Sequence, residues 1–363
     1  MPKSQSFRDR IIPDRIYLDH AATMPLRPEA RTAMEEGFNQ WANPSSPHAQ
    51  GRKARKLLED ARERVKAALD WEGEVIFTSG ASEAAALALR HAKAGARLVS
   101  TVEHDCMLQA ALDAERLPVR SDGALDLDIL CEAAQRETPL VAVQQVNSET
   151  GSRQDLAAIA GIVHQAGGLL LADCAQGAGK MPLPPCDMAV LAAHKFGGPI
   201  GVGALLVRDY AMLAPSGGQE RGYRRGTENM PGVLAMAAAL EACDQPFLDP
   251  HILAPLNELS ATCRDIGGAW LSDRLADPTP YIRAVAMPNM SATAQVMRFD
   301  MAGIAVSQGS ACSSGTMKTS RVLDAMQVEP EIAANTIRVS VGWNTTRADV
   351  ERFCEVWLDL AKS

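Results

Sequence analysis

The sequence lacks the features that mark membrane, secreted and nucleic-acid-binding proteins. No apolar run reaches the roughly 18 residues that a membrane span needs. Charged residues occupy the N-terminal positions where a signal peptide has its apolar core. Basic residues are not in excess, because 36 Lys and Arg against 44 Asp and Glu give a formal net charge of −8. We therefore expect a cytoplasmic protein that binds neither nucleic acid nor membranes.

Cysteine spacing excludes two further kinds of site. None of the eight cysteines forms a C-x-x-C pair, so neither a zinc knuckle nor a thioredoxin-like redox pair is encoded. In a chain of this length without an export signal, free thiols are favoured over disulfides. Internal repeats and low-complexity tracts are also absent. What remains is ordinary globular composition, 47% hydrophobic and 22% charged, in 363 residues that suffice for about two domains.

Short apolar runs alternate with helical patterns along most of the chain. The runs are nearly continuous in apolar residues, as in parallel strands that are covered on both faces. Strands are predicted at 74–79, 97–101, 140–146, 168–173, 188–193 and 201–207. Helices are predicted at 50–69, 82–93, 107–115, 127–136, 155–165 and 231–242. This alternation predicts an α/β large domain with a mostly parallel sheet at residues 16–245, and a smaller α+β domain formed by 1–15 and 246–363.

A candidate anion site follows the first predicted strand of the large domain. That strand leads through Ser79 and Gly80 into a strongly helical segment that begins with Ala81 and Ser82. Backbone N–H groups and a hydroxyl at a helix N-terminus suit a phosphate. Ser82 could equally serve only as the cap of the helix.

Two further polar residues follow apolar strands. Asp173 ends one strand, and Lys195 follows another beside His194 and a run of glycines. Ligands of open α/β sheets bind at the carboxyl ends of strands, where a carboxylate can pair with a ring nitrogen and a lysine can form a Schiff base. Each residue alone could be an ordinary loop aspartate or surface lysine. Together with the phosphate-type helix they indicate pyridoxal 5'-phosphate (PLP), with His104 as a candidate to stack on its ring.

The C-terminal part of the chain contains two more candidates. Cys312 lies among small and flexible residues at 307–315. Such a loop suits a thiol that must move or react, although an incidental surface cysteine has the same pattern. Arg338 lies on a predicted strand, where its guanidinium could hold a substrate carboxylate or simply be solvated.

A series of motifs resembles the cysteine desulfurases of the class V aminotransferase superfamily, in family order. The motifs are YLDHAAT (17–23), NPSSPH (43–48), FTSGASE (77–83), VEHD (102–105), VNSETG (146–151), DCAQGAGK (173–180), AHKFGGPIGVGALLV (193–207), RGYRRGTENMPG (221–232), GSAC (309–312) and IRVSVGWNTT (337–346). The match runs from about residue 16 to residue 355. It implies fold type I of the PLP enzymes, a homodimer and a supply of sulfur for iron–sulfur cluster assembly or thiolation.

The resemblance also implies a role for each site residue. Lys195 would form the Schiff base with PLP, and Cys312 would be the nucleophile that becomes a persulfide. Toward the ring of PLP, the implied contacts are Asp173 to the pyridine nitrogen, Gln176 to the ring hydroxyl and His104 to the ring face. The phosphate would be bound by Ala81, Ser82 and His194, and Thr227 would reach the phosphate in the neighbouring subunit. The substrate carboxylate would be bound by Asn147 and Arg338, and Asn147 would also contact the cofactor.

The implied reaction converts L-cysteine to L-alanine and leaves a persulfide on Cys312. An acceptor protein such as an iron–sulfur scaffold would then take the sulfur. No metal is implied in the resting enzyme, and a transient contact of Cys312 with a nascent cluster is left open. Two other interpretations stay open as well: a selenocysteine lyase on the same scaffold, and a catalytically weak PLP-binding interaction protein.

Some positions depart from the family pattern. Ala192 stands where the family usually has a serine whose hydroxyl binds the phosphate, Ile200 stands where a lysine is common, and Trp343 stands where an arginine is common. A hydrogen bond to a charged group contributes about 1.5–3 kcal/mol, so the alanine predicts weaker retention of PLP. A bridging water could replace the missing hydroxyl.

Overall fold

The structure, a computed structural model, describes residues 15–243, 245–309 and 320–362. Cys312 therefore lies outside the described residues. The helices are α1 Pro28–Phe38, α2 Ala49–Leu69, α3 Ala81–His91, α4 Asp105–Ala110, α5 Leu127–Ala133, α6 Leu156–Gln165, α7 Met230–Glu241, α8 Pro250–Asp265, α9 Ala292–Met301, α10 Arg321–Ala325, α11 Pro330–Ala334 and α12 Arg347–Ala361. The strands are β1 Ile16–Tyr17, β2 Glu74–Thr78, β3 Arg97–Ser100, β4 Glu115–Leu117, β5 Leu140–Gln144, β6 Leu169–Asp173, β7 Met188–Ala192, β8 Gly203–Val207, β9 Ala269–Trp270, β10 Ile282–Ala286, β11 Ile304–Ala305 and β12 Thr336–Ser340.

The main sheet has seven strands in the order β2-β8-β7-β6-β5-β3-β4. Only β8 is reversed, since it pairs antiparallel with both β2 and β7, while the other neighbours are parallel. The prediction of a mostly parallel sheet is confirmed. Strands β5, β7 and β8 are buried along their whole length, which explains their continuous apolar sequences.

Helices cover both faces of this sheet, and each strand contributes side chains alternately to two cores. In β5, Val141 and Val143 belong to one core, whereas Leu140 and Ala142 belong to the other. Because β2, β5, β6 and β7 run in the same direction, their carboxyl ends meet at one edge of the sheet. The polar residues that follow these strands are thereby gathered together.

A second, smaller sheet has the order β12-β10-β9 and is antiparallel. A third core packs it against α8, α9 and α12, where the rings of Phe299 and Phe353 are stacked 5.0 Å apart beside the buried Trp357. Arg338 lies in the middle of β12, opposite Ala284 of β10. The division of the chain into domains at residue 245 stays a prediction.

One predicted helix is wrong in its extent. The helix predicted at 107–115 is observed as α4, which ends at Ala110, and Glu115 begins strand β4 instead. Ala111 leaves helical geometry, and Glu115–Leu117 pairs with β3 at the edge of the sheet. Tertiary pairing has overridden the local helical pattern there. Within the described ranges, none of the helices combines the length and the apolarity needed to cross a bilayer.

Candidate active site

A cavity of about 440 Å³ lies at the edge of the main sheet where the strands end. Its size is in the range of small-molecule sites. It gathers most of the predicted site residues: Ala81, Ser82, His104, Asp173, Gln176, His194 and Lys195. Thr227, Asn147 and Arg338 are not among the described residues that line it.

The start of α3 forms one end of the cavity. Gly80 is the residue before the helix, with φ 151°, a conformation that favours glycine. Within the described part of the chain, no acceptor receives the N–H groups of Ala81, Ser82 or Glu83. Ser82 is inside the first turn and is not the cap, because Gly80 occupies that position. These free N–H groups and the Ser82 hydroxyl are therefore available to an anion.

The negative charge of Glu83 does not prevent an anion from binding at the start of α3. Glu83 turns back to accept a hydrogen bond from the backbone N–H of Ser79 at 2.5 Å, and it forms an ion pair with Arg224 at 2.9 Å. Arg224 compensates its charge. The end of the cavity at α3 remains favourable for a phosphate.

Asp173 lies deep in the cavity at the end of β6. It is 6% exposed, and its Oδ1 accepts one hydrogen bond, from the N–H of Ala175 at 2.9 Å. Burial raises the pKa of this carboxyl, while the nearby His104 and Lys195 act in the opposite direction. A cationic N–H placed against Asp173 would stabilise its ionised form.

Lys195 lies in the turn that follows β7. Its Nζ donates to the backbone oxygens of Ala21 at 2.5 Å and of Ala22 at 2.8 Å. Burial, together with the positive charge of Arg338, lowers the pKa of Lys195 to about 8. About a tenth of this amine is then uncharged at pH 7, far more than for an ordinary lysine, so it can act as a nucleophile or a base.

His194 and Gln176 flank the lysine. The Nδ1 of His194 is 3.2 Å from the hydroxyl of Thr23, and burial lowers the pKa of this histidine to about 4. His194 would therefore contact a phosphate as a neutral hydrogen-bond donor and not as a cation. Gln176 donates from Nε2 to Ala21 at 2.8 Å and accepts at Oε1 from Lys180 at 3.3 Å.

His104 caps the N-terminus of α4, and its side chain is exposed at the cavity. Its Nδ1 accepts a hydrogen bond from the backbone N–H of Cys106 at 3.2 Å and lies 3.1 Å from the Cys106 thiol. Sequence reasoning missed Cys106, which also lines the cavity. Nothing in its sequence neighbourhood could have identified it, because its place depends on the helix that begins at Asp105.

Glu103 is a second residue that sequence reasoning missed. It is buried, and its Oε1 accepts from the backbone N–H of Gln144 at 2.6 Å. Its Oε2 has no partner in the part of the chain that the structure describes. Burial and the charge of Asp173 raise the pKa of Glu103 well above its usual range. Burial next to Asp173 thus disfavours the charged form of Glu103.

Arg338 lies outside the cavity lining, close to Lys195. Its Nη2 forms an ion pair with Asp19 at 2.7 Å, and its Nη1 donates to the backbone oxygen of Ser148 at 2.8 Å. Its Nε is buried without a hydrogen-bond partner among the described residues. One guanidinium edge thus retains an unused donor.

Asn147 and Thr227 are placed differently from the other predicted site residues. Asn147 is 2% exposed, and its side-chain oxygen accepts from the N–H groups of Glu149 and Thr150 and from the Thr150 hydroxyl. Its Nδ2 donates to Val102 at 3.2 Å. Thr227 is exposed just before α7. Their roles toward substrate and cofactor stay predictions.

Comparison with known proteins identifies the family. Residues 16–353 match the family model described as aminotransferase class-V. A cysteine desulfurase from Cereibacter sphaeroides is 37% identical, over 94% of this chain and 95% of that protein. The chain belongs to the class V aminotransferase family, within its cysteine desulfurase branch. The resemblance drawn from the sequence motifs is thus confirmed.

Solved structures agree with this assignment to the desulfurase branch. The NifS-like protein from Rickettsia africae superposes with a TM-score of 0.85 at 28% identity, and the match covers 96% of this chain and 100% of that one. SspA in complex with cysteine superposes with a TM-score of 0.78 at 27% identity, covering 91% of this chain and 99% of that one. The predicted fold, fold type I of the PLP enzymes, is confirmed.

Proposed function

We propose that this protein is a PLP-dependent cysteine desulfurase that converts L-cysteine to L-alanine. One observation carries the proposal: a single cavity combines a buried carboxylate, a lysine of lowered pKa and a helix start with free N–H groups. These are the groups that a molecule with a protonated ring nitrogen, an aldehyde and a phosphate requires. The family membership and the cysteine bound to a structural neighbour support the same assignment.

The residues of the cavity fit PLP. Asp173 would hold the pyridine nitrogen, Lys195 the aldehyde carbon, and Ala81 and Ser82 the phosphate. His194, neutral because of its lowered pKa, would donate to the phosphate as well. When bound, PLP supplies an electron sink for the charge that develops on the α-carbon of an amino acid.

Lys195 is the candidate for proton transfer at that α-carbon. A general base is most effective when its pKa is close to the working pH, and a pKa of about 8 meets this requirement. The carbonyl groups of Ala21 and Ala22 accept from Nζ, so they would orient the amine. The same Nζ can return the proton after the sulfur has left.

Arg338 is the candidate for binding the carboxylate of L-cysteine. Its unpartnered Nε supplies one donor, and a substrate carboxylate could compete with Asp19 for Nη2, which would give a two-point contact. Because Arg338 also adds positive charge near Lys195, substrate binding would partly neutralise that charge.

Cys312 is proposed, on the family resemblance, to accept the sulfur. Its thiolate attacks the sulfur of the substrate and a persulfide forms on Cys312, while the electron pair of the broken carbon–sulfur bond stays with the β-carbon, which takes up a proton to become the methyl group of alanine. The proposal also includes a homodimer, in which Thr227 reaches the neighbouring site, and a protein such as an iron–sulfur scaffold that accepts the sulfur. Cys106, Cys174 and Cys186 are free thiols, which fits a reducing compartment such as the cytoplasm.

The test measures alanine and sulfide production from L-cysteine with a reductant, for the wild type and for Cys312→Ala, after the visible spectrum of the lysine-bound cofactor has been recorded. We expect both products from the wild type and a loss of both in the variant, with an unchanged visible spectrum. A coloured wild type that forms no alanine would contradict the proposal and favour an interaction protein. A much higher efficiency on L-selenocysteine would favour the lyase.

A further inference from the structure

The cavity contains a thiol that the proposed reaction does not use. Cys106 lies in the first turn of α4, half-buried, with its Sγ 3.1 Å from Nδ1 of His104. The backbone N–H of Cys106 donates to the same nitrogen at 3.2 Å. The side chain of Ser82 also lies close to the thiol. Cys106 therefore joins the candidate ring-stacking residue to the candidate phosphate site.

These contacts fix the position of the imidazole proton. A backbone N–H can only donate, so Nδ1 of His104 must present its lone pair to Cys106. In a neutral imidazole only one nitrogen carries a proton, which is then on Nε2. The thiol approaches the same unprotonated nitrogen, so its S–H is a donor in this contact.

The thiol also keeps its proton under ordinary conditions. Burial, reinforced by the negative charge of Asp173, raises the pKa of Cys106 to about 12. A thiol of this kind is a poor nucleophile, since the thiolate is the reactive form. Cys106 is thus suited to donate a hydrogen bond and not to accept sulfur.

We propose that Cys106 is a positioning residue for His104, and that its S–H and N–H together hold the imidazole with its proton on Nε2, on the side away from α4. The inference rests on the proposed function, because it assigns His104 an orientation toward PLP. A neutral ring can lie over a protonated pyridine ring without the repulsion of two like charges. The Nε2–H is left as the donor for whatever enters the cavity.

The first experiment determines which ring nitrogen of His104 carries the proton, in the full chain without its cofactor. Long-range proton–nitrogen spectra of histidine-labelled protein are recorded at about pH 9, where imidazoles are neutral, and His104 is assigned by its loss in His104→Gln. We expect Nδ1 unprotonated and Nε2 protonated in the wild type. In Cys106→Ala the tautomer ratio should move about threefold toward Nδ1–H, because one donor is lost. Cys106→Ser retains a donor and should keep the wild-type ratio.

A matched control removes a different buried thiol. Cys186 belongs to the core of the sheet and does not line this cavity, so Cys186→Ala should leave the His104 signals unchanged. Thermal unfolding shows that each variant is folded. A wild-type proton on Nδ1, or a ratio in Cys106→Ala equal to that of the wild type, would overturn the proposal.

The second experiment uses the PLP-loaded protein. The kcat for alanine formation should fall about threefold in Cys106→Ala, with little change in KM, and should recover in Cys106→Ser. Absence of alanine formation in every variant would overturn the proposed function, while the nitrogen spectra would still decide the role of Cys106. If desulfurase activity is normal and the His104 tautomer ratio is the same in the wild type and in Cys106→Ala, only the positioning role of Cys106 is overturned.

Discussion

Ala192 ends strand β7 in the wall of the cavity, and we expect Ala192→Ser to strengthen PLP binding. Ala192 is 2% exposed and lies opposite Gly203 of β8 in the sheet register. The backbone of Gly80 crosses close to Gly203, since a Cβ added at Gly203 would come within 2.7 Å of the Gly80 Cα. Gly203 is one strand spacing, roughly 4.8 Å, from residue 192 and lies between it and Gly80, and Ala192 lines the same cavity as Ala81 and Ser82.

The size of the effect follows from the chemistry of that position. A serine hydroxyl at 192 could donate to a phosphate oxygen beside the N–H groups of Ala81 and Ser82. A hydrogen bond to a charged group contributes about 1.5–3 kcal/mol, which corresponds to a Kd for PLP that is roughly tenfold to a hundredfold lower. A water that already bridges this position would reduce the gain toward the lower limit.

The assay is a titration of cofactor-free protein with PLP, followed by the visible absorption of the lysine-bound cofactor. Ala193→Ser is the matched control, because Ala193 is fully buried in the core of the sheet and does not line the cavity. Thermal unfolding without cofactor confirms that both variants fold. A Kd for Ala192→Ser equal to that of the wild type, or an equal gain in Ala193→Ser, would refute the reasoning.

Three further predictions concern the charged residues of the site. The rate of alanine formation should rise as the pH passes upward through about 8, because the pKa of Lys195 is lowered to about 8 and the uncharged amine is the active base; rates that fall over this range would contradict it. Asp173→Asn should reduce kcat by about a hundredfold or more in PLP-loaded protein, since the ring nitrogen loses its anionic partner; a rate close to wild type would exclude this role. Arg338→Lys should raise KM for L-cysteine about tenfold while PLP binding stays constant, because lysine cannot make a two-point contact; an unchanged KM would place the substrate carboxylate elsewhere.

The sequence was most informative where polar residues interrupt apolar runs. Asp173 and Lys195 stand out for this reason, and their strands end at the same edge of the sheet. The reversal of β8 could not be predicted, because an apolar run has the same pattern in either direction. The short edge strand β4 was missed as well, since Glu115–Leu117 has no apolar run and depends on its partner β3.

Some properties of the site depend on contacts that no local pattern encodes. Ser82 could have been a helix cap until Gly80 was found in that position. The place of Cys106 follows from the exact start of α4, and the raised pKa of Glu103 follows from its burial next to Asp173. Boundaries and burial of this kind are decided by tertiary packing, which composition and periodicity do not report.

The segment from Asp19 to Thr23 touches four different functional side chains. Asp19 pairs with Arg338, and Thr23 contacts His194. The carbonyl groups of Ala21 and Ala22 accept from Lys195, and that of Ala21 also accepts from Gln176. Most of these contacts use backbone atoms, which a substitution of the side chain leaves in place. Point substitutions at Ala21 or Ala22 should thus disturb the site less than a single inserted or deleted residue. An insertion or deletion would displace Lys195, Arg338 and His194 together. The length of this segment, more than its composition, is what evolution or protein engineering must preserve here.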